Sequence, residues 1–436
     1  MRISTAQIFD SGTRGIGRNQ SDLYRLQNQM SSGRKMLTPA DDPVASSQAL
    51  ILTQSKEVSA QFLRNQDTAK GQLGVVDAQL TALDDLMQNV RDKVVQAGNT
   101  TLSNADRGVI VKDLEASFSQ LMGLANAQDG TGSYLFSGYQ GSVKPFSVSD
   151  TGANYAGDDG QRLVQVDASR QMAGNISGNE LFEKIRNGNG TFVTSNGGNV
   201  DLSGINHGSA IIDKGSVNNQ ALWNQAINSP GFSDVSIRFF VDAGVTSYRL
   251  YDEAGTEIST TATTPSPGLP FPPPNGVIAI NKTTTTPLPA QDFGVSVVVQ
   301  GAPADGDRFV ISPSTDQSIF TTLRNTINTI SQGISTSAGT TSTEFTNNLS
   351  ADLVNIDQAM GNVLNVRTTV GSRLNEIESL SDSSADLQLQ YAASLSSLQD
   401  LDYAKAISEM AQKQLQLEAA QLSFKQISQL SLFSIL

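Results

Sequence analysis

Ser31-Ser32-Gly33-Arg34-Lys35-Met36-Leu37-Thr38-Pro39-Ala40-Asp41-Asp42-Pro43-Val44-Ala45 stops one helix and starts another. Gly33 follows a run of helical periodicity and reads as its stop. Asp42 then offers a side-chain cap, with Pro43 at the first helical position, where its missing N–H costs nothing. Upstream, 3-4 spacing runs through Thr5, Phe9, Gly12, Ile16, Asn19, Leu23, Leu26 and Met30. Downstream it runs through Leu52, Ser55, Ser59, Phe62, Gln66, Ala69, Leu73, Val76, Leu80, Leu83, Met87, Val90, Val94 and Ala97, and ends at Gly98-Asn99. Such a seam marks helices that pack lengthwise on other helices. A shorter helix follows, capped by Ser103 or Asn104.

The other end of the chain mirrors this. Phe320, Leu323, Ile327, Ile330 and Ile334 form a short stripe. Leu349, Leu353, Ile356, Met360, Val363, Arg367, Val370, Leu374 and Ile377 form a long one. Tyr403, Ile407, Met410, Gln414, Leu417, Gln421 and Phe424 form the last. Between the helical zones the chain changes character. Val235 to Phe239, Ser247 to Tyr251, Gly276 to Ile280, Val295 to Val299 and Arg308 to Ile311 read as strands, with turns at Asp242-Ala243-Gly244 and Glu253-Ala254-Gly255. Residues 258–275 are rich in Thr and Pro and read as an exposed loop. The expected fold is α+β and multidomain: a long antiparallel coiled-coil bundle made by both chain ends, with an inserted antiparallel β-rich domain. The expected division is 1–42 with 395–436 as a terminal helical pair, 43–140 with 317–394 as a helical rod, and 141–316 as the β insertion.

Composition excludes much chemistry. The 436 residues include 29 Lys and Arg against 42 Asp and Glu, a net charge of −13, with one His and no Cys. An acidic chain is poorly suited to a nucleic-acid backbone, which rewards basic patches. Without Cys there is no disulfide, thiolate nucleophile or Cys-ligated metal, and a single His rules out a multi-His site. No apolar run is long enough to span a bilayer, and the N-terminus has no apolar signal-peptide core. On composition alone, a cytoplasmic protein is the default expectation.

The remaining motifs carry no catalytic set. Asp41/Asp42, Asp84/Asp85 and Asp158/Asp159 are adjacent pairs, which mark caps, turns and solvated faces rather than opposed acid and base. Ser32 and Lys35 match S-x-x-K without a companion K-T-G. His207 lies in a Gly/Asn-rich loop, and Trp223 reads as β-domain core. No enzyme, cofactor or metal site is expected.

The extreme ends differ from an ordinary bundle. Gly12, Gly15 and Gly17 weaken the first helix by up to about 1 kcal/mol each. Both ends nevertheless keep an apolar seam, so they are expected to fold against a partner. Residues 1–38 carry Arg2, Arg14, Arg18, Arg25, Arg34 and Lys35 against Asp10 and Asp22, while the last 38 residues carry Asp400, Asp402, Glu409 and Glu418 against Lys405, Lys413 and Lys425. This bias favours the ends pairing with each other.

Four blocks together resemble the flagellin superfamily of axial proteins, and within it the branch at the hook–filament junction. They are Met1-Arg2-Ile3-Ser4-Thr5; the quoted stretch Ser31–Ala45; Ser133-Tyr134-Leu135-Phe136-Ser137-Gly138-Tyr139 with Pro145-Phe146 and Tyr155-Ala156-Gly157-Asp158; and Leu401-Asp402-Tyr403-Ala404 through Phe424 to Leu436. The resemblance implies a structural subunit that leaves the cell through the flagellar type III export apparatus without a cleaved signal, which replaces the cytoplasmic expectation. It implies partners in hook-associated protein 1, flagellin, an export chaperone and further copies of the chain in a ring. Flagellin itself is the alternative within the family. The expected subunit-interface residues are Phe9, Ile16, Leu23, Leu26, Met30, Tyr403, Ile407, Met410, Leu417, Phe424, Leu432 and Phe433.

Overall fold

The structure is a computed structural model that describes residues 5–200, 204–229, 232–259, 268–273, 276–283, 291–334 and 341–433. Helices α1 (Thr5–Ser32), α2 (Pro43–Ala97) and α3 (Asn104–Ala125) open the chain. The stop and start signals act as read. Gly33 has φ 70° beyond α1, and Asp42 Oδ1 accepts the Ala45 N–H at 3.0 Å. Ser103 caps α3 in a reciprocal capping box with Asp106.

The middle of the chain holds strands β1 (Phe146–Ser149), β2 (Gly152–Tyr155), β3 (Leu163–Asp167), β4 (Arg170–Ala173), β5 (Ile185–Arg186), β6 (Phe192–Asn196), β7 (Ile211–Ile212) and β8 (Ser216–Val217). Helix α4 (Gln220–Ile227) follows, then β9 (Val235–Asp242), β10 (Val245–Asp252), β11 (Leu269–Pro270), β12 (Ile278–Lys282), β13 (Gln291–Val297), β14 (Val299–Gln300), β15 (Arg308–Pro313) and β16 (Asp316–Gln317). The chain closes with α5 (Ile319–Gln332), α6 (Ser342–Gln399) and α7 (Tyr403–Phe433).

Two compact units result. The first comprises residues 1–67, 165–171 and 377–436; the second comprises 68–164 and 172–376. Within the second, Leu73, Val76, Leu80, Leu83, Val90, Val94 and Ala97 of α2 are buried, as the seam predicted. Helix α6 is turned slightly from expectation. Its buried line is Phe345, Leu349, Asp352, Ile356, Ala359, Val363, Val366 and Val370, so small Ala359 and polar Asp352 take the places expected for Met360 and Leu353. Rings from several elements meet on α5: Phe320 lies 5.1 Å from Phe146, 5.7 Å from Phe182 and 6.1 Å from Phe118 between ring centres. Phe146 of β1 and Phe182 are therefore fastened to α5.

The larger β core begins beyond β5, which pairs with β16 where the chain returns; Asn187 N–H donates to Thr315 O there at 3.1 Å. A five-stranded antiparallel sheet, order β11-β10-β9-β15-β6, and a three-stranded one, order β12-β13-β8, contribute to one hydrophobic core. Trp223 belongs to this core, as expected, and donates its indole N–H to Thr191 O at 3.2 Å. The 258–275 stretch is not wholly a loop: Ile258 is buried and β11 pairs with β10. Residues 260–267 and 274–275 of it lie outside the described residues.

Candidate assembly interface

The first unit brings the two chain ends together. Lys35 N–H donates to Gln399 O at 2.7 Å and Leu401 N–H donates to Gly33 O at 3.0 Å, with Arg34 bridged antiparallel to Asp400. This short clamp joins the end of α1 to the start of α7. The Tyr403 hydroxyl reinforces it by donating to Met30 O at 3.1 Å.

From the clamp the helices run antiparallel. Leu26 and Ala406 are buried near it. Farther along, Lys413 Nζ meets Asp22 Oδ2 at 2.8 Å. That hydrogen bond from Lys413 holds the Asp22 carboxyl below its usual range, against desolvation and with a smaller contribution from the charges of Lys413 and Arg25. At the far end Phe9 and Phe424 pack edge to face, 4.7 Å between centres at 70°. Gly12 sits beneath Phe424: a Cβ there would lie 2.7 Å from the ring. The glycine that weakens α1 as an isolated helix thus lets this ring approach.

The expected interface residues fall into three groups. Leu26 is buried, while Ile16, Leu23, Met30, Met410, Leu417 and Phe424 are half-buried and Phe9, in contact with Phe424, is more exposed. Tyr403 and Ile407 are exposed, at 49% and 52%. The side chains of Leu432 and Phe433 lie outside the described residues, as do residues 1–4 and 434–436. The least exposed line of α7 is Ala406, Met410, Lys413, Leu417, Ala420 and Phe424, a 4-3 alternation. Sequence reading missed Ala406, Lys413, Ala420 and Asp22; the Asp22–Lys413 pair runs against the charge bias between the ends, with its acid on the basic end and its base on the acidic one. The apolar residues not on this line, Ile407, Leu415 (67%) and Leu422 (64%), make an uncovered stripe on α7.

The candidate chemical groups are occupied structurally. Asp41 accepts the N–H groups of Leu37 and Thr38, the larger effect on its carboxyl coming from Thr38, and these bonds lower its pKa. Asp158 Oδ1 accepts from Tyr139 and Gly160. Ser32 Oγ donates to Gln29 O, and His207 is exposed. Among the described residues no group of three or more His, Cys, Asp or Glu is placed to hold a metal. No helix among them is long and apolar enough to cross a membrane.

Comparison with known proteins gives the same pair of ends a family. The profile of the bacterial flagellin N-terminal helical region matches residues 3–141, and that of the bacterial flagellin C-terminal helical region matches 353–436. Flagellar hook-associated protein 3 of Salmonella typhimurium is 35% identical over 185 residues, 42% of this chain and 58% of that protein; the Escherichia coli protein of the same name matches to the same extent. The aligned part therefore spans less than two thirds of these curated relatives. The flagellar junction protein FlgL of Legionella pneumophila superposes with a TM-score of 0.66 at 28% identity, covering 81% of this chain and all of that one. FlgL of Xanthomonas campestris, at 24% identity, shares the fold with a TM-score of 0.62 over 79% of this chain and 99% of that one. With the two terminal flagellin profiles together matching more than half of its length, the chain belongs to the bacterial flagellin family.

Proposed function

We propose that this chain is a structural subunit of the bacterial flagellum that joins the hook to the filament, in the manner the name of its hook-associated protein 3 relatives describes. The observation that carries this reading is the antiparallel α1–α7 pair, in which α7 has one face on α1 and an apolar stripe, Ile407, Leu415 and Leu422, left over for a neighbour. A helix with apolar residues on two faces is incompletely buried in a single chain. In a ring of copies that stripe packs on the next subunit, with Phe9, Ile16, Leu23, Leu26, Met30, Tyr403, Ile407, Met410, Leu417, Phe424, Leu432 and Phe433 as the interface set. The ring sits on hook-associated protein 1 and presents a flagellin-like face to the filament. Its role is mechanical rather than catalytic, and it is reached through type III export with the help of a chaperone.

A strain lacking this chain tests the reading. It should be non-motile, carry hooks without filaments and leak flagellin into the medium. Filaments of normal length on that strain would sink the proposal. Quantifying copies per flagellum separates a junction subunit, present in one short ring, from flagellin, present in great excess.

A further inference from the structure

We propose that the free edge of β6 is a docking site for a short extended peptide strand, a site separate from the terminal helices and independent of the junction role. β6 ends the five-stranded sheet and, among the described residues, pairs only with β15. Its phase is fixed by two bonds: Gly197 N–H donates to Arg308 O at 2.8 Å, and Ser314 N–H donates to Thr191 O at 3.0 Å. Odd-numbered residues thus face β15, and the backbone N–H and C=O groups of Thr194 and Asn196 point to the open side.

That edge opens onto a groove of about 260 Å³ roofed by α6. The groove already shows how it treats a strand edge. Asn347 of α6 accepts the Ile212 N–H at 3.1 Å and donates to Ala210 O at 3.1 Å, so its amide takes the place of a neighbouring strand along β7. Among the described residues no such amide serves the backbone of Thr194 and Asn196. Asn196 gives its side-chain N–H to Asn348 at 3.1 Å, and its own Oδ1 is buried without a partner. Asn355 spends its Oδ1 on Gly188 N–H at 2.8 Å, which leaves its amide N–H₂ for an incoming acceptor. A buried acceptor without a donor is destabilising, and an added strand supplies both donors and acceptors. Among the described residues no aromatic ring lines the groove, so it has no platform for a sugar face, and its two charged residues, Asp213 and Lys214, are of opposite sign. A peptide backbone is the ligand whose alternating groups match this edge.

The test uses the full-length ¹⁵N-labelled protein and the peptide acetyl-Thr-Val-Thr-Val-Thr-amide as probe, with amide hydrogen exchange read residue by residue. At millimolar peptide the Thr194 and Asn196 amides should exchange roughly tenfold more slowly, about 1.4 kcal/mol of added protection. The Ala351→Phe variant, which fills the groove from α6, should fold with unchanged helicity and lose that protection. Unprotected amides in the wild-type chain overturn the proposal, as does equal protection in Ala351→Phe. Protection by N-acetylglucosamine but not by the peptide also overturns it, in favour of a saccharide.

Discussion

Arg107 lays its guanidinium over the ring of Phe345, 4.8 Å from the ring centre, while closing the end of another helix. Its Nε donates to Ala97 O at 3.2 Å and its Nη2 to Asn99 O at 3.1 Å. The last turn of α2 leaves carbonyls without intrahelical donors, and the fixed fork of this side chain serves two acceptors at once. Phe345 shields the charge from water on one side, and the residue is only 2% exposed.

Arg107→Lys is expected to destabilise the chain in spite of the conserved charge. A lysine is a point donor, cannot reach both carbonyls in one plane, and is more costly to desolvate. A loss of about 2–3 kcal/mol follows from one buried carbonyl left unpaired and a weaker ring contact. Urea denaturation should show it as a lowered midpoint with an unchanged slope. An unchanged midpoint would mean that water serves these carbonyls equally well.

Asp352 sets a pH dependence. Burial raises its pKa to about 7, opposed by a hydrogen bond with Thr329, and its Oδ2 has no partner. The folded-state pKa lies above the ordinary value, so the folded chain holds this proton more tightly. Stability contributed by the protonated acid is complete below about pH 4 and is lost as pH rises towards 7. The full loss is on the order of 4 kcal/mol. Asp352→Asn should therefore stabilise the protein by about 2–4 kcal/mol at pH 8 and by much less at pH 4.5. A difference that does not change with pH would show that Asp352 does not titrate in this range.

What the sequence made legible depended on whether a stripe had one reading. Along α2 the seam from Ala69 to Ala97 is buried at every position, with Leu86 the one buried residue of that stretch off it. Along α6 two seams share Leu349, Ile356, Val363 and Val370 and differ between Leu353 with Met360 and Asp352 with Ala359. Apolarity favours the first pair; packing took the second, where a small residue permits close approach. Helix α7 repeats the ambiguity, since Ala406, Lys413 and Ala420 face α1 while the more apolar Ile407 does not. The two-residue strands β5, β7, β8, β11, β14 and β16 carry too few residues for any period to register, and the β6 groove was invisible because it depends on which residues the fold brings to one edge.

The β9–β10 hairpin shows turn chemistry that can be improved. Its register pairs Asp242 with Val245, leaving Ala243 at φ 48° and Gly244 at φ 82° as the two turn residues. Both positions of this tight turn need positive φ, which Asn accepts more readily than Ala. Ala243→Asn should raise stability by about 0.5–1 kcal/mol, seen as a higher thermal midpoint. A lower midpoint would show that the turn relaxes to another type in solution.

The neck of the β excursion makes a larger prediction. β5 pairs with β16, and Asn187 and Thr315 are joined by a backbone bond of 3.1 Å. Residues 188–314 can therefore be replaced by a short Gly/Ser linker without stretching the chain. The remaining protein should keep its helicity, because Phe146, Phe182 and Phe320 all lie outside the deleted span. Loss of cooperative unfolding would mean that the β core supports α6 more than these rings do.

Gly12 poses a contest between two effects of opposite sign. Gly12→Ala adds up to about 1 kcal/mol of helix propensity to α1. The same methyl lies 2.7 Å from Phe424, a distance real Cβ atoms do not show, so the ring must leave its edge-to-face contact with Phe9. That contact is worth roughly 0.5–1.5 kcal/mol beyond its buried area. In the free chain the two nearly cancel, and thermal stability should change little. In an assembled ring the displaced Phe424 alters the surface that neighbouring copies share, so assembly should suffer while the monomer does not. Sedimentation of the purified protein and motility of a complemented strain separate the two. A Gly12→Ala strain that swims normally would show that the close approach at Gly12 is not used in the assembled flagellum.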